Sequence, residues 1–154
     1  MLLDIILLNN IILRKKVKKL LFLNKKILFI IKKMLNTMYN KKGIGLSAIQ
    51  INLKKKIIII DNSIKKNKPI IMINPNIINY SKYYTLSAEG CLSIKDFYIS
   101  IPRPDKIVLK YINEFNEKKK KIFSCINSRC IQHEMDHLNN ILIVDYLYKI
   151  INFK

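Results

Sequence analysis

The only two histidines of the chain, His133 and His137, stand four residues apart near its C-terminal end. On a helix, residues with this spacing share one face, with Cβ atoms about 5–6 Å apart, so both imidazoles can reach one metal ion. Glu134 directly follows the first histidine, and its carboxylate can handle the proton of a metal-bound water. The sequence therefore predicts a metal site on a helix with Glu134 as general base. The alternative is a chance pair of surface histidines.

A catalytic metal site needs a third protein ligand and one open position for water. Downstream of His137 only Asp145 could serve, because the position six residues after His137 is Ile143, which cannot bind a metal. The third ligand is therefore expected upstream, where three cysteines are available.

Helix geometry separates the three cysteines. Cys130 precedes His137 by seven residues, about 10 Å along a helix axis, which is too far for bonds of about 2.0–2.3 Å to one ion. Cys125 is farther still. Cys91 remains, in the segment E-G-C-L-S. A thiolate with two imidazoles and a water forms a tetrahedral site that suits iron(II) or zinc; the alternative for Cys91 is a buried apolar thiol.

Three motifs together resemble the peptide deformylase family. They are G-I-G-L-S-A-I-Q at 43–50, E-G-C-L-S at 89–93 and Q-H-E-M-D-H-L at 132–138. They occur in the order and spacing of that family, and the resemblance covers about residues 3–148. It implies a single catalytic domain over residues 1–154. That domain would remove the formyl group from the N-terminal formyl-methionine of newly synthesised proteins, with Cys91, His133 and His137 as metal ligands.

The resemblance also implies roles for further residues. A metal-bound hydroxide would attack the formyl carbon, and Glu134 would take the water proton and pass it to the leaving amine. The Gln50 side-chain amide and the Leu92 backbone N–H would stabilise the oxyanion, although Gln50 could also be an ordinary surface amide. Ile44 and Gly45 would present backbone to an extended substrate.

Charged residues in and near the motifs are expected behind the metal. Glu89, Asp136 and Arg103 could orient the histidines or neutralise one another, and each could equally belong to a structural ion pair. Arg129 stands four residues before His133, where the family generally has an apolar residue near the methionine pocket, so this position bears on substrate selectivity.

The expected cofactor is one divalent metal ion. The resemblance implies Fe²⁺, and Zn²⁺, Ni²⁺ or Co²⁺ can occupy the same thiolate and imidazole ligands. All three glycines, Gly43, Gly45 and Gly90, fall inside the motifs. Glycine serves where the backbone needs positive φ or close approach, and both are expected around a substrate cleft.

Composition bears on the partners. Thirty-two isoleucines, twenty-six lysines and seventeen asparagines make up nearly half of the 154 residues, and the net charge is +19. Because the lysines are scattered and arginine is scarce, solvated surface lysines are expected rather than a dedicated nucleic-acid site. Weak electrostatic attraction to the ribosome still follows from the charge. The expected partners are nascent formyl-methionine peptides; the protein is expected to be a monomer without a membrane partner.

Cysteine usage and the N-terminus bear on localisation. Three cysteines without framework spacing indicate a reducing compartment and no disulfide. The first eight residues contain an acid at position 4, no basic region and no small-residue cleavage site, so a signal peptide is not expected. The family resemblance begins almost at Met1, which implies that there is no room for a transit peptide. No window supplies the roughly 18 apolar residues of a membrane span. A bacterial-type cytoplasmic protein is the expectation.

Two other function classes stay open. A general metallopeptidase would share the H-E-x-x-H chemistry, with a carboxylate in place of Cys91 as third ligand. A non-catalytic basic protein of the ribosome or RNA would have neither metal nor activity.

The hydrophobic pattern predicts an α+β fold in which antiparallel strands pack around a central metal-binding helix, with an N-terminal helix. The N-terminal helix is predicted over Lys25–Asn40, capped by Asn24, and the metal-binding helix from Ser124 to about Leu138. Strands are predicted at Lys56–Asp61, Pro69–Asn74, Asn76–Tyr80, Tyr98–Ile101, Ile107–Glu114 and Lys119–Phe123. Tyr84–Ser87 leads into the second motif, and Ile141–Tyr148 is predicted as a short extended segment.

Overall fold

The computed structural model describes residues 2–151, which form three α-helices, seven β-strands and two short 3-10 helices. The helices are α1 (Lys25–Asn40), α2 (Cys125–Leu138) and α3 (Asp145–Ile151), and the 3-10 helices are Ile11–Arg14 and Ala48–Ile51. The strands are β1 (Gly45–Ser47), β2 (Ile57–Ile60), β3 (Ile70–Tyr80), β4 (Tyr84–Cys91), β5 (Ile94–Pro104), β6 (Lys106–Ile112) and β7 (Lys118–Ser124). Within the described residues, every helix is too short or too polar to cross a membrane.

The strands form two antiparallel sheets. Five of them pair in the order β1-β2-β3-β6-β7, and β4 pairs only with β5 as a separate hairpin. α2 contacts β1 and β2 of the larger sheet and β5 of the hairpin, so it joins the two sheets. This arrangement confirms the predicted fold of helices and antiparallel strands.

α1 begins and ends at the predicted residues. The Asn24 side chain caps it by accepting a hydrogen bond from the Ile27 N–H at 2.9 Å. Ile31, Met34 and Met38 lie on its buried face and pack in one cluster with Ile57 and Ile59 of β2. Because this apolar face recurs with the helical period, the pattern alone could locate the helix.

α2 has a polar buried face. It begins after Ser124 as predicted, although the Ser124 side chain makes no capping hydrogen bond, and it is followed by Asn140 with φ 62°. Its buried polar side chains are Ser128, Arg129, Gln132, His133, Glu134 and His137. Since burying polar groups is costly unless they are paired, these positions indicate function rather than packing alone.

One strand replaces two that were predicted. The segments Pro69–Asn74 and Asn76–Tyr80 belong to β3, in which the register with β6 shifts between residues 73 and 76. Asn74 has φ 50°, and its side chain exchanges two 2.8 Å hydrogen bonds with the Leu20 backbone. Pro75 therefore sits at an irregularity, where a strand tolerates a proline, and does not end the strand.

The prediction for the C-terminal segment is wrong. Ile141–Tyr148 is not extended throughout, because α3 begins at Asp145. The Asp145 carboxylate accepts a hydrogen bond from the Leu142 N–H at 2.8 Å and lies 2.6 Å from Arg14 Nη2. A contact with a distant residue thus stabilises the start of this helix.

The glycines serve close approach rather than positive φ. No glycine has positive φ in the described residues, so that part of the expectation is wrong; asparagines such as Asn52 and Asn140 take the left-handed conformation instead. A Cβ added at Gly45 would lie 2.5 Å from Glu134 Oε1 and 2.7 Å from Cys130 Sγ. Only a residue without a side chain fits between this backbone and α2.

Candidate active site

Cys91, His133 and His137 lie together where the end of β4 meets α2. One ligand atom from each lies within 4.8 Å of the others. Cys91 Sγ is 3.2 Å from His137 Nε2, and the two imidazole rings stand edge to face with centroids 5.1 Å apart. The histidines are one helical turn apart and the cysteine ends a strand, so two elements set the spacing. The structure thus brings the three predicted ligands together.

The donor set fits a divalent metal cation. One sulfur and two ring nitrogens are ligands that iron(II) and zinc accept. Burial lowers the pKa of His133, but hydrogen bonds to Cys91 and Glu89 raise it to about 10, so the ring holds a proton that a cation must displace when it binds. Burial keeps the pKa of His137 well below its ordinary value, in the neutral form that a metal requires.

Glu89 is the centre of a buried ion-pair network behind His133. Its Oε2 lies 3.1 Å from His133 Nδ1, Arg103 donates to both carboxylate oxygens at 2.6 and 2.9 Å, and Arg129 donates to Oε1 at 2.7 Å. Burial alone would raise the pKa of Glu89, but the hydrogen bonds from His133 and Arg103 lower it to about 2. An ionised Glu89 accepts the Nδ1 proton, which leaves the Nε2 lone pair of His133 available to a metal.

Arg103 extends this network to α3. Its Nη2 lies 2.9 Å from Asp136 Oδ2, which also accepts a 2.7 Å hydrogen bond from the Tyr146 hydroxyl. The Arg103 guanidinium lies 5.2 Å from the centroid of the Tyr146 ring. The three charged residues expected behind the metal therefore form one connected network.

Glu134 is buried beside the histidines and lines a cleft that opens onto them. Its Oε2 has no hydrogen-bond partner among the described residues. Burial raises the pKa of Glu134 to about 7, although the charge of His133 opposes the shift. A carboxyl group with a pKa near neutrality can both accept a proton and return it.

Gln50 is held in one orientation. Its Oε1 accepts a hydrogen bond from the Ser47 N–H at 2.8 Å, and its Nε2 donates to Ser93 Oγ at 3.0 Å. The same Nε2 is 3.5 Å from Cys91 Sγ. Gln50 is 1% exposed, so it is not the surface amide of the alternative interpretation. Its amide N–H groups point towards the Cys91 end of the cluster.

A cleft of about 420 Å³ opens onto the cluster. Ile44, Gly45 and Leu92 line it together with His133 and Glu134. Gly45 begins β1, which is an edge strand of the five-stranded sheet. An extended peptide can add to such an edge through main-chain hydrogen bonds.

The other two cysteines lie outside the cluster. Cys130 Sγ lies 3.6 Å from the Ile44 carbonyl oxygen. Burial, followed by the charge of Glu134, raises the pKa of Cys130 well above its ordinary value, so this side chain stays a thiol. Cys125 is exposed. These positions agree with the spacing argument that selected Cys91.

Three contributors to the site were missed or misplaced by sequence reasoning. Arg129 lines the cleft, but its guanidinium is turned to Glu89 and to the Ile101 carbonyl, both at 2.7 Å. Arg129 stands four residues before His133 on α2, and this spacing was enough to predict that the two side chains share one helix face. Ser93 lies inside the E-G-C-L-S motif, so its place near the cluster could have been predicted. Tyr146 could not be placed there, because α3 was not predicted.

Comparison with known proteins identifies relatives over almost the whole chain. Residues 2–152 match the family model described as Polypeptide deformylase. A peptide deformylase of Prochlorococcus marinus is 42% identical over 145 residues, which cover 93% of this chain and 71% of that protein. A peptide deformylase of Synechocystis is 38% identical over 140 residues, which cover 90% of this chain and 75% of that protein.

Solved structures agree with the sequence matches. A peptide deformylase from Synechococcus elongatus in complex with actinonin has a TM-score of 0.89 and 36% identity, covering 93% of this chain and 77% of that one. A peptide deformylase from Thermotoga maritima has a TM-score of 0.90 and 31% identity, covering 94% and 97%. These matches confirm the resemblance first seen in three motifs, and the chain therefore belongs to the polypeptide deformylase family of enzymes.

Proposed function

We propose that the protein removes the formyl group from the N-terminal formyl-methionine of newly synthesised peptides. The observation that supports this most is the convergence of Cys91, His133 and His137 beside a buried Glu134, at the bottom of a cleft. The reaction breaks the formyl C–N bond and adds one water, so the products are formate and a free amino terminus.

Cys91, His133 and His137 would hold one divalent cation. Bound there, the cation would supply Lewis-acid chemistry, lowering the pKa of a water and polarising the formyl carbonyl. Glu89 holds the Nδ1 side of the His133 ring, Arg103 holds Glu89, and Asp136 holds Arg103. Removing such an outer partner commonly weakens metal binding about 10- to 100-fold.

Glu134 would transfer the proton. Its carboxylate would accept a proton from the attacking water and then give it to the amine nitrogen as the C–N bond breaks. The unpartnered Oε2 and the pKa of about 7 suit both steps. Because the group is buried, bulk water does not compete for the proton.

Gln50 and Leu92 would stabilise the negative charge that develops on the formyl oxygen. Ser47 and Ser93 fix the Gln50 amide, so its donors need no reorganisation when the charge develops. The backbone N–H of Leu92 follows Cys91 directly in the chain, which places a second donor near the same end of the cluster. Loss of one donor of this type costs about 2.7–4 kcal/mol.

Ile44 and Gly45 would bind the peptide part of the substrate. They precede and begin β1, the edge strand beside the cleft, and main-chain pairing tolerates varied side chains after the methionine. Formyl-methionine peptides are therefore the proposed partners, without selection for a single downstream sequence.

Glu134→Gln tests the proposed proton transfer. The amide keeps the size of the side chain but cannot accept the proton, so we expect turnover of a formyl-Met peptide to fall about 10²- to 10⁴-fold with one metal ion still bound. Metal analysis and a deformylation assay measure the two quantities. Glu117→Gln, the same change at an exposed hairpin residue, should leave both unchanged. An active Glu134→Gln protein with full metal content would exclude Glu134 from this role.

We further propose Fe²⁺ as the metal. Protein purified without oxygen should contain about one iron per chain and lose activity in air, because a thiolate-bound ferrous ion is open to oxidation. Elemental analysis before and after exposure, followed by reloading with Ni²⁺ or Co²⁺, measures this. Zinc in fully active anaerobic protein would contradict the choice of iron but leave the proposed reaction intact.

A further inference from the structure

Charge is distributed unevenly along the chain. Residues 5–60 carry fourteen lysines and arginines and no aspartate or glutamate. This stretch contains both 3-10 helices, α1, β1 and β2, and α1 packs against β1 and β2. Fixed positive charge without intervening acids attracts an anionic partner.

Bulky apolar side chains are exposed within this basic region. Leu21 and Phe22, in the loop before α1, are 78% and 79% exposed. Phe29 on α1 is 59% exposed, and Lys33 Nζ lies 4.6 Å from its ring centroid. Lysines surround these side chains in sequence at positions 18, 19, 25, 26, 32 and 33.

The loop is held in place with these side chains facing solvent. The Leu20 backbone exchanges two 2.8 Å hydrogen bonds with the Asn74 side chain, and Leu20 itself packs into the core. Upstream, Lys18 forms a backbone bridge with Lys55, next to β2. The exposure of Leu21 therefore belongs to a fixed loop and is not a consequence of fraying.

We propose that this basic apolar surface, defined by Lys18, Lys19, Leu21, Phe22, Lys25 and Phe29, binds an anionic lipid bilayer. Apolar side chains that enter the interface, surrounded by lysines that contact anionic headgroups, are the features of peripheral membrane anchors. The proposal departs from the expectation of solvated surface lysines and no membrane partner.

Lipid suits this surface better than RNA. Phe22 and Phe29 could stack on bases, but Leu21 is as exposed as Phe22 and cannot stack, whereas all three side chains gain by entering an apolar phase. The only arginine in the region, Arg14, is paired with Asp145, so no guanidinium fork there is available for phosphate recognition. Lysines act as point charges and suit diffuse attraction to a charged membrane.

Membrane binding would leave the cleft accessible. The exposed loop precedes the N-terminus of α1, whereas Lys41 and Lys42, which follow its C-terminus, line the cleft. A helix of 16 residues is about 24 Å long, so the two sites are separated by roughly that distance. Binding and peptide hydrolysis are therefore independent and can be tested separately.

Vesicle sedimentation tests the proposal. The metal-loaded protein should bind phosphatidylcholine vesicles containing about 30% phosphatidylglycerol, and bind pure phosphatidylcholine far less. The double substitution Leu21→Ser with Phe22→Ser should weaken binding at least about tenfold while leaving deformylation of a soluble peptide unchanged. Leu86→Ser is the matched control, because Leu86 is 70% exposed but residues 83–94 contain no lysine or arginine, and it should bind like the unchanged protein.

A fluorescence experiment gives an independent reading. The chain has no tryptophan, so Phe22→Trp and Leu86→Trp each introduce a single tryptophan. With phosphatidylglycerol vesicles, emission of the first should shift to the blue and that of the second should not. Equal binding by the double serine variant, or an unshifted Phe22→Trp spectrum, would overturn the proposal. So would displacement of the protein from vesicles by stoichiometric poly(U) RNA, which would make RNA the partner.

Discussion

Glu89 and Glu134 are two buried carboxyl groups whose surroundings push their pKa values in opposite directions. Hydrogen bonds from His133 and Arg103 hold the pKa of Glu89 at about 2 against the effect of burial. Glu134 has an unpartnered oxygen, and burial raises its pKa to about 7. Two acids of separated pKa on one cluster can take separate roles, one permanently ionised and one exchanging a proton.

Gly45→Ala tests how closely the backbone must approach Glu134. The added methyl carbon would lie 2.5 Å from Glu134 Oε1 and 2.7 Å from Cys130 Sγ, so the carboxylate must move. We expect turnover to fall at least about tenfold with metal content retained, and the free energy of unfolding to fall by about 1–3 kcal/mol from overpacking. Steady-state kinetics and denaturant unfolding measure the two effects.

Gly90→Ala is the control for this prediction. Its methyl carbon would lie 2.8 Å from Tyr98 Cε1, and that ring is 74% exposed and can turn away. A smaller loss of stability is therefore expected than for Gly45→Ala. Equal and unaltered kcat in both variants would show that the position of the Glu134 carboxylate does not depend on Gly45.

At the scale of elements, sequence reasoning succeeded where an element carries its own signal. α1 has an apolar stripe and an asparagine cap, and the structure gives the predicted bounds Lys25–Asn40. α2 was located by its motif and its ends, although its buried face is polar. The clustering of Cys91 with the histidines could likewise be predicted, because helix spacing excluded the other cysteines.

Elements that depend on distant partners were predicted less well. β5 runs over Ile94–Pro104, far beyond the predicted Tyr98–Ile101. The added residues include few apolar ones, so the sequence gives a weak strand signal there, and it is the pairing with β4 that extends the strand. α3 begins at Asp145, which contacts Arg14, a residue 131 positions earlier in the sequence. Tyr146 could not be assigned to the network around His133 without that helix.

A hydrogen bond between Tyr39 of α1 and Asp61 at the end of β2 predicts that the free energy of unfolding depends on pH. The Asp61 carboxylate, at the end of β2, accepts hydrogen bonds from Tyr39 of α1, from Ser63 and from the Lys68 N–H. Burial alone would raise the pKa of Asp61, but these bonds, led by that from Ser63, lower it from its ordinary 3.8. The contribution of Asp61 to the free energy of unfolding is therefore fully present above its ordinary pKa of 3.8, and it is lost as pH falls through the lowered pKa of the folded state.

Asp61→Asn should lower the free energy of unfolding by about 1–3 kcal/mol at pH 7, because an amide replaces one acceptor oxygen with a donor. The difference from the unchanged protein should shrink below about pH 4, as the native Asp61 becomes protonated. Denaturant unfolding at several pH values measures it. Asp96→Asn, the same change at an exposed residue with φ 53°, should have little effect, and a pH-independent difference at Asp61 would contradict the argument.

At the scale of the whole molecule, the candidate metal cluster connects two sheets that are not paired with each other within the described residues. Cys91 ends β4 of the hairpin, whereas the histidines lie on α2, which packs against β1 and β2 of the larger sheet. The hairpin also contributes Glu89 and Arg103 to the buried network. A cation held by all three ligands would therefore fasten the hairpin to the rest of the fold.

Removal of the metal should loosen the hairpin selectively. A ligand present at about 100 times its Kd stabilises the folded state by about 2.7 kcal/mol, so chelation should lower Tm and increase amide exchange in β4 and β5. The amides of β2 and β3 should stay protected, because their isoleucine core does not involve Cys91. Hydrogen exchange followed by mass spectrometry, before and after chelation under anaerobic conditions, measures both regions. Cys91→Ser should show the loosened pattern even in the presence of metal, whereas equal changes in both sheets would contradict a local fastening role.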